Sequence, residues 1–533
     1  KFIIEPLAKK NPPTPVAGST AVTPPAQSPQ TEASPAAPAI PPQIPAESPQ
    51  IVPAAVETKV RKAVVDTPLY HAEFSNQGAV LTSFLLKKYK NDFDKPLEMV
   101  PQTGDLKLYP LSLDVEDKTI AGKAAAAVFA LDKESLTLNA SESGSIHFSF
   151  SDGRLTFHKT VTFNAGSYVL GVKFEALDGT TQLPVRIVWS PGMEDFASYK
   201  NRNDLHPTQA LIDTGEKVDR KAAKKVEGFQ KVGASVRWAG LENSYFAAIF
   251  IPSNPSDAYL SQVGGEDKVF HNLTFSLAAQ KVGPQDVNVF VGPKDYLILK
   301  DLGMDLEHAV DFGFYLAPIV KALFFGLRKL DTYTHNFGWA IVILTVLIKL
   351  IFTPFMQKSF ASQKKMQAMQ PEMKQIQDKY AKMKNDDPRK AQMNTEIMAL
   401  HKRYGVNPLG GCLPMVVQMP VLIGFYRLLS GAIELRHAPF LLWITDLSKP
   451  DPLFITPVLM GASMLVQQRM TPVTDPMQKN MMYIMPVMFT FMSFKLQSGL
   501  VLYWLLSNLL GLLHQYLFQW QQKRALAGRS GND

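Results

Sequence analysis

Two hydrophobic periodicities divide this chain, and the change between them falls near residue 300. Before it, apolar residues alternate with polar ones. In GSIHFSFSDGRLTFHKTVTF the apolar positions are Ile146, Phe148 and Phe150, then Leu155, Phe157, Val161 and Phe163, with Ser151-Asp152-Gly153 between them. Period-two alternation around a Gly-containing turn predicts a hairpin with one buried face. Strand-like runs recur at 168–174, 184–189, 245–251, 273–277 and 287–291, so residues 57–302 read as a large antiparallel β sandwich. After residue 300 the apolar runs reach helical length. Stretches at about 337–356, 409–429, 453–467, 481–495 and 499–519 are candidate membrane spans. Two of them fall short of the roughly 20 residues a bilayer asks for, which implies local thinning or tilted packing. Residues 305–330 are interrupted by Pro318 and Lys321 and carry Arg328-Lys329. They read as an amphipathic helix lying in the membrane interface rather than a span.

Between the first two spans the pattern is that of a helical pair. Met366, Met369, Met373, Ile376, Tyr380 and Met383 are spaced 3, 4, 3, 4, 3, and Met393, Ile397, Leu400 and Tyr404 continue at 4, 3, 4. Asn385-Asp386-Asp387-Pro388 separates the two runs, with Asp387 as N-cap and Pro388 at the first helical position. An antiparallel hairpin over 357–404 follows, its first arm begun or kinked at Pro371. Its methionines serve either as the hairpin seam or as a soft surface that accepts varied apolar partners.

Composition and charge then fix the ends. Residues 6–53 hold 14 of the 39 prolines among Ala, Ser, Thr and Gln, a composition unable to build a core, so 1–56 reads as a flexible linker. The formal net charge is +8, but its distribution says more than its sum. Residues 357–404 contain 11 Lys/Arg against five Asp/Glu, and the tail adds Lys523, Arg524 and Arg529, whereas 430–452 holds only Arg436 and Lys449. The positive-inside rule therefore puts the hairpin and the C-terminus in the cytoplasm, and the β domain outside. This charge needs no nucleic-acid partner. A β domain outside also calls for a signal or anchor ahead of Lys1. No nucleophile motif, phosphate loop or metal-spaced Cys/His set occurs, and Cys412 is the single cysteine, so neither an enzyme nor a cofactor is expected.

One residue breaks the apolar pattern. In ILTVLIKLIFTP, Lys349 lies among six hydrophobic neighbours, where a membrane cation costs roughly 2.5–3.5 kcal/mol. It is seven residues from Met356, roughly 10 Å along a helix, so snorkelling to the cytoplasmic interface is one reading. The other rests on its neighbours. Thr345, Lys349, Thr353 and Gln357 recur every four residues as one polar stripe. Gln418, Tyr426 and Ser430 form a comparable row on the second span, Ser463 and Gln467 on the third, and Tyr503, Ser507, Gly511 and His514 on the last. Such rows either face a shared hydrophilic cavity or simply pack helices. Arg427, near the outer end of its span, reads as a snorkelling cation. No Asp or Glu lies in any of the five spans, which disfavours a proton- or cation-coupled transporter. A polar-cavity transporter and an envelope assembly scaffold remain as alternative readings.

The stretches NPLGGCLPMVVQMPVLIGFY (407–426), ELRHAPFLLWITDLSKPDP (434–452), TDPMQKNMMYIMPVMFT (474–490) and SGLVLYWLLSN (498–508) closely resemble the YidC/Oxa/Alb insertase family. The likeness covers about residues 305–520, and the order of linker, β domain and membrane core resembles the Gram-negative form. That form carries a first transmembrane helix ahead of the linker. The resemblance implies a periplasmic β-supersandwich followed by an α-helical membrane domain, 303–533, of five transmembrane helices with a cytoplasmic hairpin, in the bacterial inner membrane. It further implies a non-enzymatic insertase and chaperone for nascent membrane proteins, working in the lipid bilayer with the ribosome, alone or beside the Sec translocon. Its groove cation is usually arginine where this chain has Lys349, which keeps the charge and loses the planar fork. The groove set implied here is Lys349, Thr345, Thr353, Gln418, Tyr426, Tyr503, Trp504 and Ser507. The family's substrate-contacting aromatic falls at Tyr503-Trp504, and either position fits. The hairpin set for recruitment is Met366, Met369, Met373, Tyr380, Met383 and Met393.

Overall fold

A computed structural model of the protein describes residues 57–102, 108–194, 207–263, 272–313, 315–380, 389–405, 413–470 and 476–530. The Pro-rich stretch 1–56, Met383, the break at 385–388 and the start of the second span at 409–412, Cys412 included, lie outside these residues.

Alternation built three β sheets. The largest runs in the order Val218–Ala222, Gln209–Asp213, Trp238–Glu242, Phe246–Pro252, Gln285–Pro293, Val169–Asp178, Leu155–Asn164, Ser143–Ser151 and Ala130–Leu131. One five-stranded sheet is Pro96–Glu98, Val80–Lys90, Tyr70–Ser75, Lys62–Asp66 and Ser135–Thr137. The other is Gln230–Gly233, Ser256–Val263, Asn272–Ala279, Val185–Trp189 and Ser112–Val115. Register decides how they stack. Phe250 pairs with Val289, Val289 with Leu170, Val172 with Val161, and Val161 with Ile146. Directly opposed residues and their i+2 neighbours share a face, so Phe148, Phe163 and Phe250 all project the same way. Phe74 of the first small sheet meets Phe148 and Phe163 at 6.0 and 5.7 Å, and Trp189 of the second meets Phe250 at 6.4 Å. Both small sheets thus cover one face of the large one, which is the expected sandwich at double width.

Two positions show how tightly that sandwich closes. A Cβ at Gly240 would meet the backbone carbonyl of Ala248 on the adjoining strand. Gly240→Val is therefore expected to cost about 3 kcal/mol through forced backbone shifts. A guanidinium unfolding curve of the whole chain in detergent reads it, and an unchanged midpoint for the β transition contradicts it. The second position is Lys159, on the covered face opposite Phe148 and only 1% exposed. Its ammonium donates to the carbonyls of Ala79, at 2.6 Å, and Leu111. Both carbonyls belong to left-handed turn residues, with φ of +51° and +62°, one ahead of each small sheet's entry into the core.

Among the described residues there are ten helices, the first two of them within the stretch read as strands alone: α1 Lys118–Ala126, α2 Tyr296–Leu302, α3 Ala317–Thr334, α4 Phe337–Ala368, α5 Gln370–Tyr380, α6 Arg389–Arg403, α7 Leu413–Gly431, α8 Ile455–Arg469, α9 Pro476–Ser493 and α10 Ser498–Ser530. Several bounds differ from the sequence reading. The expected interfacial helix at 305–330 is split into a 3-10 turn, Leu306–Ala309, and α3, which starts at Pro318's turn and runs on to Thr334. α4 continues through Pro354 to Ala368, so the first arm of the hairpin begins as an extension of the first span and breaks only ahead of Pro371. Among the described residues, two helices are long and apolar enough to cross a membrane, Phe337–Ala368 and Ser498–Gln521.

The packing order of the helical half is set by α4 and α10. α3 lies on α4 and α7 with Val320, Leu323, Phe324 and Leu327 buried, while α10 packs against α4, α7 and α8, and α8 carries α9. α5 and α6 meet through Met369, Met373 and Leu400, flanked by Ile376 and Tyr404. The Tyr380 hydroxyl donates to Glu396 at 2.9 Å and the Tyr404 hydroxyl to Glu372 at 2.5 Å. Met366 and Met393 are half-buried and are not among the residues of that cluster.

Polar contacts attach the β sandwich to one end of the helices. Lys449 pairs with Asp92 at 2.7 Å, Arg436 donates to the Lys90 carbonyl at 2.7 Å, and Arg328 sits 3.7 Å from Asp295, just after the last strand, and 3.2 Å from Glu434 within the helical half. Burial pushes the Glu434 carboxyl up to about 7, against the pull of Arg328. The loop that holds Lys449 also caps α10: Ser498 donates its N–H to the Lys449 carbonyl at 2.7 Å and its hydroxyl to that of Asp446 at 2.9 Å.

Candidate functional site: a polar seam between three helices

The run that forms the first half of α4 is apolar, and its i, i+4 spacing keeps Thr345 and Lys349 on one face. That face meets α7 and α10. Lys349 Nζ donates to Gln418 Oε1 at 3.1 Å. Gln418 Nε2 in turn donates to the Tyr503 hydroxyl and, at 3.3 Å, to Ser507 Oγ. One amide therefore links three helices, its oxygen facing the cation and its nitrogen facing two hydroxyls. Tyr503 is fully buried and stacked on Phe425, with ring centroids 4.2 Å apart, and Ser507 is buried beside it.

Lys349 is the unbalanced member of this chain. An ammonium has three donors, and the partner just described is a neutral carbonyl. None of α4, α7, α8, α9 or α10 contains an Asp or a Glu. The charge is therefore held half-buried in an apolar bundle without a carboxylate on any of those helices.

The other residues singled out from the sequence separate into two groups. Thr345 is fully buried and donates its hydroxyl to the Ile341 carbonyl at 2.6 Å, while Thr353 donates to the Lys349 carbonyl at 2.9 Å. Both line the stripe, with their protons already held by their own helix. Tyr426 lies apart from the chain and is 45% exposed. Its carbonyl accepts from Ser430, which also accepts from Gln497 at 2.9 Å. Trp504 points away, edge-on to Phe489 of α9 at 5.2 Å. Of the two neighbouring aromatics, Tyr503 is the one in the seam.

Two features escaped the sequence reading. Asn508 donates to Ser463 Oγ at 3.2 Å and Gln515 to the Met470 carbonyl at 3.2 Å, a second polar ladder between α10 and α8. Ser463 is thus a packing partner rather than a neighbour of Lys349. The available signal was helical phase, since Asn508 sits 100° around the axis from Ser507. Arg427 reaches Asp311 at 3.3 Å in place of snorkelling alone.

Comparison with known proteins gives the family. Residues 62–325 match the family model described as the YidC periplasmic domain, and residues 329–525 the one described as 60Kd inner membrane protein. A relative in Syntrophus aciditrophicus (strain SB), named membrane protein insertase YidC, is 38% identical over 515 residues, which are 91% of each chain. The chain belongs to the YidC family. A relative of the same name in Citrifermentans bemidjiense is 37% identical over 474 residues, covering 85% of this chain and 84% of its own. A crystal structure described as an active YidC insertase with its first transmembrane domain resolved aligns with 87% of this chain and 94% of its own, at 19% identity and a TM-score of 0.37. The YidC match identifies the β sandwich as the family's periplasmic domain and the helical half as its inner-membrane part.

Proposed function

We propose that this YidC-family insertase integrates membrane proteins through the seam of α4, α7 and α10, with Lys349 as the transient partner of a polar or acidic client tail. The observation that carries this reading is the cation held against a neutral amide, in helices that contain no carboxylate of their own. A client carboxylate gains a charge-assisted bond there and leaves the Gln418 contacts to Tyr503 and Ser507 in place. Insertion asks for no bond chemistry. The seam replaces part of the water around the tail, and the client's apolar segment then leaves into lipid, driven by roughly 0.8 kcal/mol per buried CH₂.

The surrounding architecture supports a route. In this reading α4, α7, α8, α9 and α10 span the membrane, with the α5–α6 pair and the C-terminus in the cytoplasm, as the excess of Lys/Arg in 357–404 favours. The α5–α6 pair then receives clients from the ribosome or beside the Sec translocon. Its short apolar cluster and basic surface suit a segment that must be held briefly. A photo-crosslinker at Thr353, part-buried one turn from Lys349, is expected to capture ribosome-bound nascent chains of a single-span client, while one at Val282, on the β-domain surface, is not. Absence of adducts at Thr353, or equal adducts at both positions, refutes the route.

A further inference from the structure

We propose that His514 is a second, titratable contact for acidic client tails, met on the way in from the cytoplasm before Lys349. It rests on the insertase route above and extends it to client selection. The placement follows from helix phase. At 100° per residue, α10 brings Tyr503, Ser507 and His514 within about 40° of one another, and α4 brings Lys349 and Phe360 within about 20°. The two stripes that meet at Gln418 meet again further along. His514 lies edge-on to Phe360, ring centroids 5.3 Å apart at 82°, with Phe360 itself 8% exposed. The seven residues from Ser507 to His514 span about 10 Å along the axis, toward the end of α10 remote from the β domain.

His514 is only half-buried, and among the described residues none hydrogen-bonds either ring nitrogen. The charged residues of α4, α7, α8 and α10 are all basic, Arg469 near the end of α8 included. Lys349 lies on the same face of α4 as Phe360, about three turns nearer the β domain. Lys358, Lys364 and Lys365, further along α4, are exposed. Among the described side chains of α7, the polar one on this side is the neutral Gln418, and Arg427 is paired with Asp311 at 3.3 Å. On α10 itself the next cation with a described side chain, Arg524, stacks on Trp520 at 3.8 Å. With no carboxylate on these helices to hold its proton, the imidazole is protonated most readily when an anionic tail is present.

The test uses the full chain in liposomes and two single-span clients, one with two Asp in its external tail and one with Asn in their place. Those Asp remain ionised across the range from about pH 6 to about pH 8, so any change with pH belongs to the insertase. Wild type is expected to insert the Asp client roughly five-fold faster, relative to the Asn client, at the lower pH. His514→Gln is expected to remove that difference, and His514→Arg to keep the high ratio at both pH values. A wild-type ratio that does not change with pH, a His514→Gln ratio that still changes, or equal loss of both clients in His514→Gln overturns the proposal. Failure of the insertase route itself reads differently: wild type then inserts neither client at either pH.

Discussion

Lys349→Ala is expected to slow insertion of a client with an acidic external tail by about ten-fold or more, while Lys349→Arg retains most of the activity. A hydrogen bond to a charged group is worth about 1.5–3 kcal/mol, and 1.4 kcal/mol is already a factor of ten. Alanine also leaves Gln418 Oε1 without its donor, although the Gln418 contacts to Tyr503 and Ser507 remain. The loss should therefore follow client charge rather than collapse of the bundle. The measurement is protease accessibility of the client tail in cells depleted of their own insertase and carrying each variant. A tail of Asn and Gln should insert almost normally with alanine at this position. If alanine handles the acidic tail as well as arginine does, the charge has no role in insertion.

The second large effect belongs to the β domain. Burial pushes the Lys159 ammonium down to about 7 from its ordinary value of 10.5. In the unfolded chain the same group keeps the ordinary value, so between these limits the unfolded state binds more protons than the folded one. Stability must then rise with pH across that window, and the group costs stability at and below pH 7. From about pH 7 to about pH 10 the gain is on the order of 3 kcal/mol. Urea unfolding of the β transition as a function of pH reads this directly. Lys159→Met removes the titrating group and is expected to flatten the slope. It also leaves the Ala79 and Leu111 carbonyls without their donor, which lowers stability by about 1–3 kcal/mol for each at every pH. A slope that survives in Lys159→Met assigns the pH dependence to another group.

Much of this was legible in the residues. Strand alternation named the covered face of the large sheet, because Ile146, Phe148, Val161 and Phe163 cannot all be buried any other way. Four-residue spacing found the polar stripe of Lys349, and the absence of membrane carboxylates marked the charge as unusual. The limits were those of a one-dimensional reading. Thr345 and Thr353 share the stripe, yet a threonine hydroxyl can turn back to the carbonyl four residues earlier, as both do here. Tyr503 and Trp504 differ by one position, and only the packing of α10 shows which faces Gln418 and which faces Phe489. Contacts such as Arg427 with Asp311 or Lys449 with Asp92 join residues 116 and 357 positions apart, which no local pattern encodes. Helix ends were missed for a related reason. The sequence ended the first span at about residue 356, where the apolar run gives way to polar residues, whereas α4 continues as one helix to Ala368.

The lone cation also bears on the membrane that hosts it. A polar cleft through part of a bilayer is a potential leak for protons and alkali ions, whose gradients the cell cannot lose. A fixed positive charge in a low-dielectric cleft repels both, as the guard arginine of a water channel does. Helices without carboxylates also offer no chain of acid groups along which a proton could hop. On the proposed route, the charge that invites an anionic guest would also repel small cations, so one residue would serve both insertion and ion exclusion.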